Sequence, residues 1–158
     1  MIEYNNEYEE WREYDEHGNR VHSKNNLGYE ERFEYDLNSK CRYWENLGYF
    51  KEWIDYDEHG HIIHYKDSNC FEEWREYDKH NNLIHWKDNK GNEEWYKYDK
   101  HGNQIYFKSS KGSEEWREFD EHGNCIHYKD LDGREEWWEY NENNLITHYK
   151  KAQAMKNG

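Results

Sequence analysis

The sequence predicts an all-β protein: tandem β-hairpin repeats forming one elongated, twisted or coiled antiparallel sheet. Three observations predict it. A Tyr-Asp pair recurs at a fixed step of 21 residues, aromatic residues stand where aliphatic ones are usual, and every unit offers a Gly, Asn or Ser where a tight turn needs positive φ.

The step comes first. Tyr14-Asp15, Tyr35-Asp36, Tyr56-Asp57, Tyr77-Asp78 and Tyr98-Asp99 continue as Phe119-Asp120 and Tyr140-Asn141, with no insertion. Trp11, Trp53, Trp74, Trp95, Trp116 and Trp137 keep the same step, and Arg32 alone breaks that column. Lys24, Lys66, Lys87, Lys108, Lys129 and Lys150 form another, broken by Glu45. Residues 1–150 therefore read as one seven-repeat array, opened by an incomplete unit at Met1 to Glu7, and residues 151–158 as a loose or briefly helical tail.

Composition agrees with a thin sheet. Leu, Ile, Val and Phe account for 20 of 158 residues, fewer than an aliphatic core requires, whereas 9 Trp and 16 Tyr argue against disorder. Rings of this kind bury large surfaces while keeping a polar handle in water. Sheet coiling or homodimerisation would cover what remains.

Each unit reads strand, turn, strand. The Trp- and Tyr-rich segment suits a pleated surface. Asp opens a type I turn, and Gly, Asn81, Asn144 or Ser39 supplies the left-handed residue of a bulge. A second strand with Ile63, Ile84, Ile105 or Ile126 follows, then a second turn at Gly28, Gly91, Gly112 or Gly133. Looping out Asp15 to Gly18 sets Tyr14 opposite Asn19, Trp11 opposite His22 and Glu9 opposite Lys24, a register with favourable charge pairing. Fourteen strands at ~4.8 Å each make a sheet roughly 65 Å wide. The chain lacks Pro, so no ladder donor is lost.

The run Tyr-Asp-x-x-Gly-Asn-x-Ile, at the 21-residue step, resembles the YD (Rhs) repeat from about Tyr8 to Lys150. The resemblance implies a β-sheet ribbon and a bacterial or phage setting of toxins, immunity and defence. Long arrays of that family coil into shells around toxins. This chain is too short to enclose cargo, carries no toxin or protease segment, and is richer in Trp and Glu, so the shell role is not carried over.

The residues themselves speak against chemistry. No nucleophile elbow, P-loop or HExxH is present, and every candidate carboxylate is copied along the array, so no enzyme is expected. Histidine is repeat punctuation; His59, His61 and His64 are the one local group, and strand alternation sends His61 and His64 to opposite faces, so neither metal nor cofactor is expected. Cys41, Cys70 and Cys125 are odd in number and lack a CxxC. No run is apolar enough for a signal peptide or membrane span, which makes cytoplasm the expected compartment.

A net charge of -14 disfavours direct binding of nucleic acid and favours a protein partner with a basic surface. Two groups of residues are candidates for that contact. One is the unbroken column Glu10, Glu31, Glu52, Glu73, Glu94, Glu115 and Glu136, read either as a binding stripe or as charge that keeps the sheet soluble. The other is the segment that departs from the repeat, with Arg32, Lys40, Arg42, Tyr43 and Trp44, since aromatics with Arg anchor interfaces. The leading expectation is a non-enzymatic, acidic inhibitor of a nucleic-acid-handling effector such as a nuclease or CRISPR effector: a toxin immunity protein, or a phage anti-CRISPR or other anti-defence protein. The alternative is a carbohydrate- or cell-wall-binding aromatic array.

Overall fold

The computed structural model describes residues 7–154. Seven successive hairpins make up the described chain: β1 (Glu10–Tyr14) and β2 (Arg20–Asn25), β3 (Glu30–Tyr35) and β4 (Cys41–Asn46), β5 (Phe50–Tyr56) and β6 (Ile62–Asp67), β7 (Glu72–Tyr77) and β8 (Leu83–Asp88), β9 (Glu93–Tyr98) and β10 (Gln104–Ser109), β11 (Glu114–Phe119) and β12 (Cys125–Asp130), and β13 (Arg134–Tyr140) and β14 (Ile146–Gln153). The strands follow one another in sequence order through a fourteen-stranded sheet. The all-β hairpin ribbon expected from the repeat is the fold observed. By packing, the chain divides into two compact units, Met1–Trp74 and Arg75–Gly158.

Each hairpin is set by a side-chain oxygen at its turn. Asp15 Oδ1 accepts the backbone N–H of His17 at 2.9 Å and of Asn19 at 2.8 Å, while Asp15 N–H donates to the Asn19 carbonyl at 2.9 Å. Asp36, Asp57, Asp78, Asp99 and Asp120 repeat the first two bonds, and Asn141 makes them with its amide oxygen. The turns between hairpins reuse the device at Asn25, Asp67 and Asp88. The third turn residue takes positive φ: Gly18 at 84°, Ser39 at 60°, Asn81 at 69° and Asn144 at 58°. Cys70 does the same at 64° in a second turn, where the sequence offered no Gly or Asn to mark it. After β4 the left-handed residue is Gly48, one place early, and the loop tightens so that Asn46 faces Phe50 directly.

The register differs from the expected one. Tyr14 faces Arg20, Glu13 faces His22 and Trp11 faces Lys24, so Trp11 does not sit opposite His22. Two insertions account for the change. The turn closes on Asp15 and Asn19, one residue later than expected, and a bulge beside Tyr14 then skips Val21. The same skip falls on Arg42, Ile63, Ile105 and Ile126, so the aliphatic column of the second strand is a column of bulge residues. Because side chains alternate with period two, a combined slip of two positions leaves His22, Ser23 and Lys24 on their expected faces, whereas Arg20, before the bulge, slips by one and faces Tyr14 on the other side. Trp11, Glu13, His22 and Lys24 share one face; Glu10, Arg12, Ser23 and Asn25 share the other.

Tyrosine closes three of the bulges from the neighbouring hairpin. Tyr35 donates its hydroxyl to the Arg20 carbonyl at 3.0 Å, Tyr56 to Cys41 at 3.1 Å and Tyr140 to Cys125 at 3.0 Å. This is the Tyr of the Tyr-Asp pair, reaching back to the residue where the preceding bulge begins. Phe119 holds the equivalent place without a hydroxyl.

At the far end, residues 151–153 were expected in the tail and instead continue β14. Glu136 faces Lys151 and Arg134 faces Gln153, with Lys151 Nζ 3.4 Å from Glu136. An ion pair and an eight-residue strand against the seven-residue β13 hold this segment extended. The incomplete opening unit, apart from Glu7, and the last residues of the tail lie outside the described residues. No hydrophobic side chain is fully buried among the described residues.

The turns carry a pH signature. Asp57 is held down to about 2: burial works the other way but is outweighed by the His61 ring and backbone N–H. Asp99 and Asp120 are lowered chiefly by the side-chain amides of Asn103 and Asn124, and Asp78 by the Asn82 backbone N–H. A lowered carboxylate contributes stability above its unfolded value of 3.8 and loses it as pH falls through the folded value. Acid titration followed by circular dichroism is expected to show cooperative unfolding that begins near pH 4 and is advanced by about 2. Asp99→Asn, copying Asn141, is expected to keep the turn and reduce the proton uptake on unfolding.

The tyrosine clasp yields a second expectation. Tyr56→Phe removes one hydrogen bond and should lower stability by about 1 kcal/mol, while Phe119→Tyr adds the hydroxyl over the Gln104 carbonyl and should raise it comparably. Urea midpoints at unchanged m-value are the measurement.

Candidate interaction surface

One face carries a ladder of His and Trp. His64 stacks on Trp74 at 5.4 Å and 13°, His85 on Trp95 at 5.6 Å and 14°, and His127 on Trp137 at 5.3 Å and 12°. Each is a directly facing pair between the second strand of one hairpin and the first strand of the next. Each ring is held at both nitrogens by carboxylates: His64 by Asp55 at 3.3 Å and Glu72 at 2.9 Å, His85 by Glu76 at 3.1 Å and Glu93 at 2.8 Å, His127 by Glu118 at 3.3 Å and Glu135 at 2.9 Å. Partial burial of His85 opposes its protonation, but Glu76 and Glu93 together outweigh that and raise its pKa. Where Tyr replaces His, at Tyr43 and Tyr106, the ring tilts against Trp53 and Trp116 by 46° and 54°. Among the described residues, no group of three or more His, Cys, Asp or Glu is placed to hold a metal ion.

The Glu10-to-Glu136 column lies on the opposite face and is buried or half-buried. Glu136 is 4 % and Glu73 is 8 % exposed, and the described partners of the others are close. Ser23 donates to Glu31 at 3.1 Å, Tyr65 to Glu52 at 2.8 Å, and Arg134 and Tyr149 to Glu136 at 2.9 Å and 3.0 Å. Tyr96 bonds Glu94, and Arg117 bonds Glu115. Arg134 is the chief cause of the lowered pKa of Glu136, as Arg12 is for Glu10. These carboxylates hold the sheet together. The carboxylates that face solvent stand three residues further on: Glu13, Glu34, Glu76, Glu118 and Glu139, beside the His ladder. Both columns were visible in the sequence, but only burial separates them.

The segment that departs from the repeat resolves into two parts. Within a regular hairpin Trp faces Lys, as Trp53 faces Lys66 and Trp137 faces Lys150, whose Nζ lies 4.5 Å from the ring centre. In the second hairpin that pair is Arg32 facing Glu45. Glu45 in turn faces Lys51, 2.7 Å away, where a regular junction sets Lys against Glu as Lys66 faces Glu72. The breaks in the Trp and Lys columns are therefore one concerted exchange, in which charges swap sides across three strands. Lys40 is also used internally, with Nζ 5.0 Å from the Tyr56 ring and over Gly60, and Trp44 packs on Phe50 at 5.7 Å on the other face.

Arg42 and Tyr43 remain, and the structure brings them together. Arg42 is the bulge residue where Val21, Ile63, Ile105, Ile126 and Thr147 stand in other hairpins, and it reaches Asp55 on the next strand. With Tyr43, Trp53, His64 and Lys66 they line an open concavity of about 670 Å³. Arg32 borders the adjoining hollow, which shares Glu34, Tyr43 and Trp53. Trp53 and Lys66 were not singled out, because as members of the repeat they carry no signal of their own.

No family model matches the chain, and no curated protein matches it. Solved structures do. A chain in the Photorhabdus luminescens Tc holotoxin pore bearing a TccC3 mutation is similar over 91 % of this chain and 9 % of its own length, with a TM-score of 0.61 at 13 % identity. A TcdB2-TccC3 crystal structure is similar over 92 % of this chain and 9 % of its own length, with a TM-score of 0.60 at 14 % identity. At such identities the likeness is one of fold, and this chain spans about 9 % of the length of those chains.

The exchange of charges makes a direct expectation. Glu45→Lys alone places a third cation between Arg32 and Lys51 and should lower the urea midpoint. Adding Arg32→Trp and Lys51→Glu restores the pattern of the other hairpins and should recover it, a coupling that a mutant cycle measures.

Proposed function

We propose that the chain is a non-catalytic interaction module that docks a basic protein on the face of its second and third hairpins. The observation that carries this reading is the concavity at Arg42, Tyr43 and Trp53, where a repeat built for regularity replaces an aliphatic bulge residue with Arg beside two rings. Arg, Tyr and Trp are the side chains most often found to anchor interfaces. Exposed Glu34 and half-exposed Asp55 line the same hollow, and the chain as a whole carries -14.

The finer reading takes the chain as a short stand-alone array of the YD (Rhs) type. Its 21-residue step, its Asp-opened turns and its likeness to a stretch of Tc toxin chains support that. The partner is then a nucleic-acid-handling effector, and the chain its inhibitor, in toxin immunity or phage anti-defence. The charge and small size support this version. A glycan-binding array needs open ring faces, whereas histidine occupies one face of Trp74, Trp95 and Trp137.

Affinity capture tests it. The immobilised chain, exposed to lysate of its native host or of that host under phage infection, is expected to retain one basic protein and release it as salt rises toward roughly 1 M, where charges are screened within about 3 Å. Retention should fall at least tenfold for Arg42→Ala with Tyr43→Ala, and the released protein's activity should drop when the natural chain is added back. Retention that ignores both salt and these substitutions would sink the proposal.

A further inference from the structure

We propose that the hollow shared by the second and third hairpins seats one cationic side chain, lysine or arginine, of the docked protein, its charge held between the Tyr43 ring and the Glu34 carboxylate. That the side chain belongs to a docked protein rests on the reading above; the seat itself rests on a difference between two hairpins.

On the His-Trp face, the first strand of a regular hairpin sets an acid against the His of its second strand. Asp55 faces His64 and Glu118 faces His127, and in each pair a ring nitrogen lies 3.3 Å from the carboxylate. Acid and imidazole thus satisfy each other. Two hairpins carry Tyr in place of that His, and they differ in what faces it. In the fifth hairpin Tyr106 faces Lys97, whose Nζ lies 5.1 Å from the ring centre. There a cation has taken the acid's place, and it rests on the ring. In the second hairpin Tyr43 faces Glu34. The acid is kept and the histidine is gone. Among the described residues no donor bonds the Glu34 carboxylate, and no cation lies over the Tyr43 ring.

Shape and charge fit a cation from outside. Glu34 is exposed, and with Tyr43 and Trp53 it borders both hollows of this region. Tyr43 leans on Trp53 at 5.5 Å and 46°, close to the 5.9 Å and 54° between Tyr106 and Trp116. The second hairpin therefore repeats the ring arrangement that accepts Lys97 in the fifth. The cations around the hollow are matched within the chain: Arg42 bonds Asp55, Arg32 lies 3.8 Å from Glu30, and Lys66 faces Glu72. Glu45 is matched too, by Lys51 at 2.7 Å. Glu34 is the charge left over. An ammonium or guanidinium over an aromatic face is attracted by the ring quadrupole, and a carboxylate at the rim strengthens that attraction.

Four small probes test the seat on the full chain: N-acetyl-lysine amide, N-acetyl-arginine amide, and their neutral counterparts N-acetyl-norleucine amide and N-acetyl-citrulline amide. Each is titrated at constant ionic strength while NMR follows the Trp53 indole N–H, assigned by its loss in Trp53→Phe. Both cationic amides should shift that resonance saturably in the millimolar range, and the neutral ones should not. Glu34→Gln should weaken the cationic amides roughly tenfold. Glu34→Lys should abolish their effect and raise the urea midpoint, because it supplies to Tyr43 what Lys97 supplies to Tyr106. Equal responses to charged and neutral amides, no saturable response, or a full response in Glu34→Lys chains would overturn the proposal. Saturation by the cationic amides with no basic protein retained from lysate would remove the docking reading and leave the seat. Retention unmoved by Glu34→Gln, with no response to the amides, would remove the seat and leave the docking reading.

Discussion

Two backbone N–H groups converge on one side-chain oxygen at turn after turn, and the register of the sheet follows from that. With no fully buried hydrophobic side chain among the described residues, there is little apolar packing to correct a slipped strand. The Asp oxygen, the left-handed residue three places on and the bulge after it define which residues face each other. A slip of one position would exchange the His-Trp face for the Glu-Tyr face. The turn thus performs the alignment that a core performs in a thicker protein, and Asn141 shows that the geometry of the acceptor, not its charge, is what the turn requires.

On that register the side chains build two different ladders. One face stacks His on Trp and holds the imidazoles between carboxylates. The other surrounds an unbroken column of glutamates with hydroxyls and guanidiniums. Half-buried polar groups of this kind are stabilising only when partnered, and no buried side-chain nitrogen or oxygen lacks a partner among the described residues. The same arrangement makes each hairpin a template for the next. The surface that remains for partners is therefore narrow: the solvent-facing acids and the places where the repeat is altered.

Alteration of a repeat has two meanings here, and the second hairpin holds both. Arg32, Glu45 and Lys51 exchange roles among themselves and leave the ladder intact. Arg42 and Tyr43 add something the ladder does not need, a cation and a ring at the rim of a hollow shared with Trp53. Only the pairing tells these apart, because in the sequence all of them are simply departures from a column.

The sequence by itself determined the hairpin, its step, the positive-φ position at Gly18, Ser39, Asn81 and Asn144, and the face on which the side chains outside the turn and bulge lie. These are local properties: turn chemistry acts over five residues, and alternation acts between neighbours. Tertiary structure decided what faces what. The later closure of the turn and the bulge beside Tyr14 moved Trp11 from His22 to Lys24, because a bulge is a property of two strands together and the aliphatic column that falls on it reads in the sequence as an ordinary strand column. Cys70 occupies a left-handed turn position for the same reason, held there by the strands it joins. Burial was decided there too. Glu10 and Glu13 are equally acidic in the chain, yet packing half-buries or buries the first column and exposes the second, since depth in a sheet depends on what lies across it and not on the residue alone.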